Sequence, residues 1–234
     1  MARQIPADRF ELLIDTATQV FIEQGYRRTQ MADIADAMGV AKGTLYLYVE
    51  SKEALFDLAC RWADAPRPLL RPEVLPVATP AASDTLAYVA ERLAGESELP
   101  ALAAALARSR VRDAGVELAG IVGELYDVLA RNRRGLKLID RSARDLPELA
   151  ALWFTGARGG FLALLREYFA TRLRRRLFRP VPDLDAAVRL VLETIVFWAV
   201  HRHWDAHPQA IDEATAKATV IRFITGALVE EDQR

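Results

Sequence analysis

The chain has 234 residues, 52% of them hydrophobic and 27% charged, enough to bury a core and stay soluble. The 31 Lys and Arg against 32 Asp and Glu leave a formal charge of -1, which excludes a surface that is basic all over but not a local basic patch. The lone cysteine, Cys60, excludes an internal disulfide framework. The first ten residues hold no apolar run of signal-peptide length, and the most apolar stretch, residues 190–200, contains Glu193 and is far short of the about 20 residues of a membrane span. A soluble, cytoplasmic protein with no membrane partner is expected.

In chain order, Phe10, Leu13, Ile14, Ala17, Val20 and Phe21 recur at spacings of three and four, the pattern of an amphipathic helix, and Gly25 stops it. Ser51 is a good N-cap for a helix over residues 51–65. The prolines at 66, 68, 72, 76 and 80 prevent a continuous helix and mark a linker over 66–82. Helices are then predicted over 83–94, 100–113, 116–132, 135–144, 147–177, 184–204 and 212–229. No segment alternates with period two between hairpin turns, so the fold class is all-α. The predicted division is 1–50 as an N-terminal three-helix helix-turn-helix domain, 51–65 as a connecting helix, 66–82 as the linker and 83–234 as a larger helical domain.

The informative stretch is MADIADAMGVAKGTLYLYVE, residues 31–50. A small residue at Ala35, a glycine four later at Gly39 and an apolar residue six further on at Leu45 form a helix-turn-helix spacing. Two helices crossing steeply need a small side chain at the contact, a flexible turn and an apolar plug. On spacing alone an ordinary corner between two helices fits equally well. The second helix decides it, because its N-terminus carries Lys42, Gly43 and Thr44, where a helix entering the major groove presents side chains to base edges. Gly43 would let the backbone come close, and Tyr46 and Tyr48 bring hydroxyls toward phosphates. Lys52 lies at the positive N-terminus of the next helix, and Thr29 reads as the N-cap of the helix starting near Gln30, where it would clamp another phosphate. The local positive charge comes from Arg3, Arg9, Arg27, Arg28, Lys42 and Lys52.

Residues 10–58 resemble the DNA-binding domain of the TetR family of bacterial transcriptional regulators. The resemblance rests on Phe21, Gly25, Tyr26, Thr29, the pairs Ile34-Ala35 and Gly39-Val40, Lys42-Gly43-Thr44-Leu45-Tyr46, Tyr48, Ser51-Lys52-Glu53 and Leu55. It implies a three-helix DNA-binding head with a fourth connecting helix, an all-α ligand-binding and dimerisation domain, and repression relieved by a small molecule. Carried over by position, Thr29, Lys42, Gly43, Thr44, Tyr46, Tyr48 and Lys52 fall on the family's usual DNA contacts. Ala41 stands where serine is common, which removes a capping hydroxyl, and Val49 where phenylalanine is common.

One head has a small footprint, so a homodimer on a palindromic operator in double-stranded DNA is expected. The last two helices are apolar on two faces, and Val188, Leu192, Ile195, Ile221, Ile224 and Leu228 are the predicted dimer interface. Trp62, Tyr126, Trp153, Phe161 and Trp198 are the predicted walls of a pocket for an apolar or aromatic effector. Arg158, set among glycines, is read as solvated or as facing an anionic group, and the arginines from 172 to 179 as solvated partners of a helix C-terminus. His201, His203 and His207 lack the spacing of a metal site, no catalytic constellation or cofactor fingerprint is present, and neither metal, cofactor nor enzymatic activity is expected. The alternative function is a DNA-binding regulator or activator whose larger domain serves dimerisation or protein interaction without an effector.

Overall fold

The computed structural model describes residues 7–69, 72–96 and 99–229. Its helices are α1 (Ala7–Gln24), α2 (Met31–Met38), α3 (Lys42–Leu45), α4 (Lys52–Trp62), α5 (Ala82–Glu96), α6 (Pro100–Ala107), α7 (Ala114–Arg131), α8 (Arg133–Ser142), α9 (Pro147–Ala150), α10 (Gly159–Arg174), α11 (Leu184–Ala199) and α12 (Glu213–Leu228). A π-helical segment, Ala151–Arg158, and a 3-10 turn, His201–Trp204, complete them. The fold is all-α: among the described residues the sole β-type pairing is an isolated bridge between Val49 and Val77. No helix among them is long and apolar enough to cross a membrane. Helices expected at 147–177 and 184–204 are each interrupted, the first by the π segment and the second where Val200 leaves helical geometry. Side-chain periodicity alone does not register either break.

Two compact units form, and they do not follow chain order. One holds the residues up to Leu93 together with Arg134–Phe154; the other holds Ala94–Arg133 and the chain from Thr155 onward.

In the first unit the stripe on α1 is the core: Phe10, Leu13, Ile14, Ala17 and Phe21 are fully buried, each large side chain gaining about 1.5–3 kcal/mol by leaving water. Helix α4 packs along α1 and is buried from Ala54 to Cys60. Ser51 caps it as expected, its Oγ accepting from Ala54 N at 3.1 Å. Helix α8 also belongs here. Asp64 accepts from the backbone N–H groups of Arg134 (3.0 Å) and Gly135 (2.7 Å), placing a carboxylate on the N-terminus of α8. Arg134 reaches Asp15 at 2.7 Å, and Arg141 donates to Gln24 O at 2.8 Å. The proline-rich stretch is tied down rather than loose. Val77 N donates to Tyr48 O (2.8 Å), Glu50 N to Val77 O (3.0 Å), and Thr79 Oγ1 lies 2.8 Å from Ser51 Oγ.

In the second unit α7 is the central helix, packed by α6, α11 and α12, and α10 covers α6 and α11. Asp113, Asp183 and Asp212 cap α7, α11 and α12 through their side chains. Arg172 of α10 is fully buried rather than solvated. Its Nε donates to Glu117 at 2.7 Å and its Nη2 to Ala105 O at 2.6 Å, so the pair bolts α10 to α6 and α7. Arg158, in the π segment, pairs with Glu193 of α11.

Candidate nucleic-acid interface

Helix α2 ends in a left-handed turn. Gly39 has φ of 67°, and Val40 N closes back on Ala35 O at 3.0 Å, a conformation that costs little only for glycine. Ala35, 1% exposed, is the small contact beneath α3, and Leu45, Tyr48 and Val49 are the buried plugs under it. Helix α3 is a single α-turn continued by tighter turns as far as Val49. Ala41 is its N-cap and makes no side-chain cap bond, as the missing hydroxyl predicts. With three plugs facing inward, Lys42, Gly43, Tyr46 and Leu47 face outward. Tyr46 is 41% exposed and Leu47 56%.

Gly43 is the informative residue of this face. A Cβ built there meets nothing within 4 Å, and its φ is not positive. Nothing inside the chain calls for glycine, although glycine in a helix costs about 1 kcal/mol relative to alanine. The absent side chain leaves the backbone of α3 open to something outside the chain.

The surrounding charge fits an anion. Arg27, Arg28 and Lys42 are exposed, and none has an ion-pair partner among the described residues. Lys52 behaves differently: its Nζ donates to Tyr26 O and Thr29 O, both at 3.1 Å, and sits 4.4 Å from the centre of the Tyr26 ring. The Tyr26 hydroxyl donates to Glu53 at 2.9 Å. Burial, aided by Glu53, pushes the Tyr26 phenol well above its usual range, so it stays a donor. Backbone hydrogen bonding at the start of α4, with help from Tyr26, holds the Glu53 carboxyl below its usual range. These contacts lock the α1–α2 loop to the start of α4.

Residues 13–59 match the model of the bacterial regulatory proteins of the tetR family. The chain is 47% identical to the HTH-type transcriptional repressor KstR2 of Rhodococcus jostii over 45 residues, which cover 19% of this chain and 22% of that one. It is also 44% identical over 45 residues to the fatty acid metabolism regulator protein of Bacillus subtilis, covering 19% and 23% of the two chains. Residues 13–59 are therefore a DNA-binding domain of the TetR type. The match spans only about a fifth of the length of these curated relatives. Beyond it the likeness is one of fold. The ketosteroid transcriptional regulator KstR2 of Mycobacterium tuberculosis superposes with a TM-score of 0.54 at 18% identity, over 97% of this chain and 98% of the other. AibR, in complex with isovaleryl coenzyme A and operator DNA, superposes with a TM-score of 0.50 at 15% identity, over 92% and 97%.

Of the residues read from the TetR pattern, Lys42, Gly43, Thr44 and Tyr46 come together on the outer surface of α3. Three others do not lie on it. Thr29 is 1% exposed, its hydroxyl donates to Gly25 O at 2.7 Å, and the N-cap of α2 is Gln30 instead. Tyr48 is 2% exposed and stacks against Phe10. Lys52 is half-buried and spends its ammonium on two carbonyls. Leu47 was missed, although its position four residues after Gly43 puts it on the same helical face. Arg3 lies outside the described residues.

The predicted pocket residues fall in both units. In the first unit Trp62 packs edge-on against Phe10, and Trp153 Nε1 donates to Asp140 at 3.0 Å. In the second, the Tyr126 hydroxyl donates to Glu213 at 2.7 Å and lies 3.3 Å from Trp198 O; Trp198 packs on Phe197, and Phe161 is half-buried. The predicted dimer residues lie mostly inside the single chain. Val188, Leu192, Ile195, Ile224 and Leu228 are buried within the single chain, and Ile221 packs toward Gly123 of α7. They are the intramolecular faces of α11 and α12. The faces left uncovered carry Leu190 (70% exposed), Phe197 (42%) and Phe223 (74%).

Proposed function

We propose that this chain is a cytoplasmic transcriptional repressor that binds a palindromic operator as a homodimer and is released by a small-molecule effector. The observation that carries the DNA-binding reading is the outer face of α3, where a Cβ added at Gly43 would meet no other part of the chain within 4 Å and unpaired Lys42 stands beside it. In this reading Lys42 donates to base edges, preferentially guanine O6 and N7. The backbone at Gly43 closes on the duplex, Thr44 and Tyr46 meet phosphate or a thymine methyl, and Leu47 adds apolar contact. Arg27 and Arg28 meet phosphates. Lys52, Thr29 and Tyr48 act as positioning residues.

The uncovered faces of α11 and α12 support the dimer reading. Two helices exposing Leu190, Phe197 and Phe223 gain by packing against their own copies around a two-fold axis, as a four-helix bundle. The effector reading is supported by the fold shared with AibR, whose structure holds isovaleryl coenzyme A and operator DNA together. Chain connectivity gives the signal a route: α7, in the second unit, runs through Asn132 into α8, whose N-terminus is gripped by Asp64 of the first.

The reading is tested by selecting an operator from random duplexes and measuring binding of Lys42→Ala. Discrimination between the selected and a scrambled duplex should fall about 5- to 150-fold without vanishing, with an unchanged circular dichroism spectrum. Unchanged discrimination refutes it. For the dimer, Phe223→Glu is expected to yield monomers by sedimentation, whereas a dimer that persists undiminished places the interface elsewhere.

A further inference from the structure

Within the second unit a cavity of about 1400 Å³ lies where α7 and α11 begin and α10 and α12 end. Its wall is apolar over Val116, Leu173, Leu177, Phe178, Val181 and Leu184, and Val116 is 69% exposed. Four arginines from three separate stretches of chain line the rest: Arg112 before α7, Arg176 and Arg179 between α10 and α11, and Arg222 on α12. None of the four has a side-chain hydrogen bond or ion pair among the described residues. The one acidic lining residue, Asp113, spends its carboxylate on Val116 N at 2.9 Å, capping α7.

The site is built rather than incidental. Helix α10 closes with Leu177 N on Arg172 O and Arg176 N on Leu173 O, both at 3.0 Å. This closure puts Arg176 at φ 57°, a position where glycine is the usual occupant. Arg179 N then donates to Leu228 O at 2.7 Å, fastening the loop to α12. The buried Arg172–Glu117 pair fixes the last turn of α10 to the first turn of α7. A strained arginine kept among three others at the mouth of an apolar recess has no role in the fold that glycine would not serve better.

We propose that this cavity binds an amphiphilic polyanion, an acyl chain against the apolar wall with a phosphate-bearing head among Arg112, Arg176, Arg179 and Arg222. Four guanidinium groups exceed what one carboxylate can engage, and their forked donors match phosphate oxygens. The volume also exceeds the 300–1,000 Å³ or so of ordinary small-molecule sites. The proposal rests on the effector reading above, since it names where that effector sits and what it is chemically.

The test is calorimetric titration of the full chain with octanoyl- and palmitoyl-coenzyme A, free coenzyme A and free fatty acid. An acyl-coenzyme A is expected to bind more tightly than either half alone. Arg176→Gly and Arg222→Ala should each weaken it about tenfold or more, with Arg176→Gly keeping or raising the thermal midpoint. Gly226→Phe should weaken binding by placing a ring in the recess that Gly226 lines, with an unchanged circular dichroism spectrum as the check that the fold is kept. No binding of any acyl-coenzyme A, binding no tighter than that of the fatty acid, or affinity indifferent to all three substitutions overturns the proposal. Operator release separates the two readings. Ligand binding that needs these residues but leaves operator affinity unchanged upholds the cavity and removes the effector role. Release that survives Gly226→Phe undiminished upholds the effector role and removes this cavity.

Discussion

Gly43→Ala offers a sharp test because its effects on fold and function have opposite signs. The added methyl has no atom of the chain within 4 Å, and the native φ is not one that alanine avoids. Replacing glycine in a helix therefore stabilises the free protein by about 0.5–1 kcal/mol. At this chain length that corresponds to a rise of about 1–4 °C in the thermal midpoint. On DNA the same methyl enters a gap already filled by the duplex, and inserting a methyl into a close-packed contact costs about 1–3 kcal/mol. Operator affinity should fall about 5- to 150-fold, measured by fluorescence anisotropy at fixed salt, while the midpoint holds or rises. Tighter or unchanged operator binding by Gly43→Ala would refute the reasoning, because the glycine would then have no partner outside the chain.

Lys52→Ala removes two hydrogen bonds from an ammonium to carbonyls of the α1–α2 loop. For this half-exposed group the expected loss is about 1–2 kcal/mol of stability, seen as an earlier urea midpoint, and a variant as stable as wild type would show that the clamp is idle. Glu117→Ala leaves the fully buried guanidinium of Arg172 uncompensated and should cost about 3–5 kcal/mol; the double variant Glu117→Leu with Arg172→Met should recover most of it in the same denaturation assay. His203 carries a pH dependence. Desolvation first, then Arg133 and Arg202, lowers its pKa below the ordinary 6.5. The folded state therefore binds this proton less readily than the unfolded chain, and the stability present above pH 6.5 is lost as pH falls toward the depressed value. Thermal midpoints should drop more steeply between pH 7 and 5.5 in wild type than in His203→Gln, and parallel curves would discount the histidine.

Much of the head was legible in sequence because each signal there is local. The stripe from Phe10 to Phe21, the spacing of Ala35, Gly39 and Leu45, and Ser51 as a cap depend on nearby residues only, and the structure keeps all of them. Exposure was less legible. Thr29 and Tyr48 carry the hydroxyls a phosphate contact needs, but a hydroxyl does not reveal which way its residue points, and both are buried. Helix α11 is apolar nearly all round, so its composition could not say whether Ile195 or Leu190 faces the chain; packing against α7 chose Ile195. The placement of α8 with the head depends on Asp64 meeting Gly135 across 71 positions, and the arginine cavity draws on residues from 112 to 222. Neither leaves a periodic trace.

The most direct test of the central claim is a methylation-interference footprint on a selected operator. If paired α3 turns read the duplex, guanine N7 methylation should block binding at two symmetric half-sites in successive major grooves, about 34–36 Å apart. Lys42→Ala should erase the interference at one position in each. Interference confined to the minor groove, or a major-groove pattern indifferent to Lys42, would contradict the account.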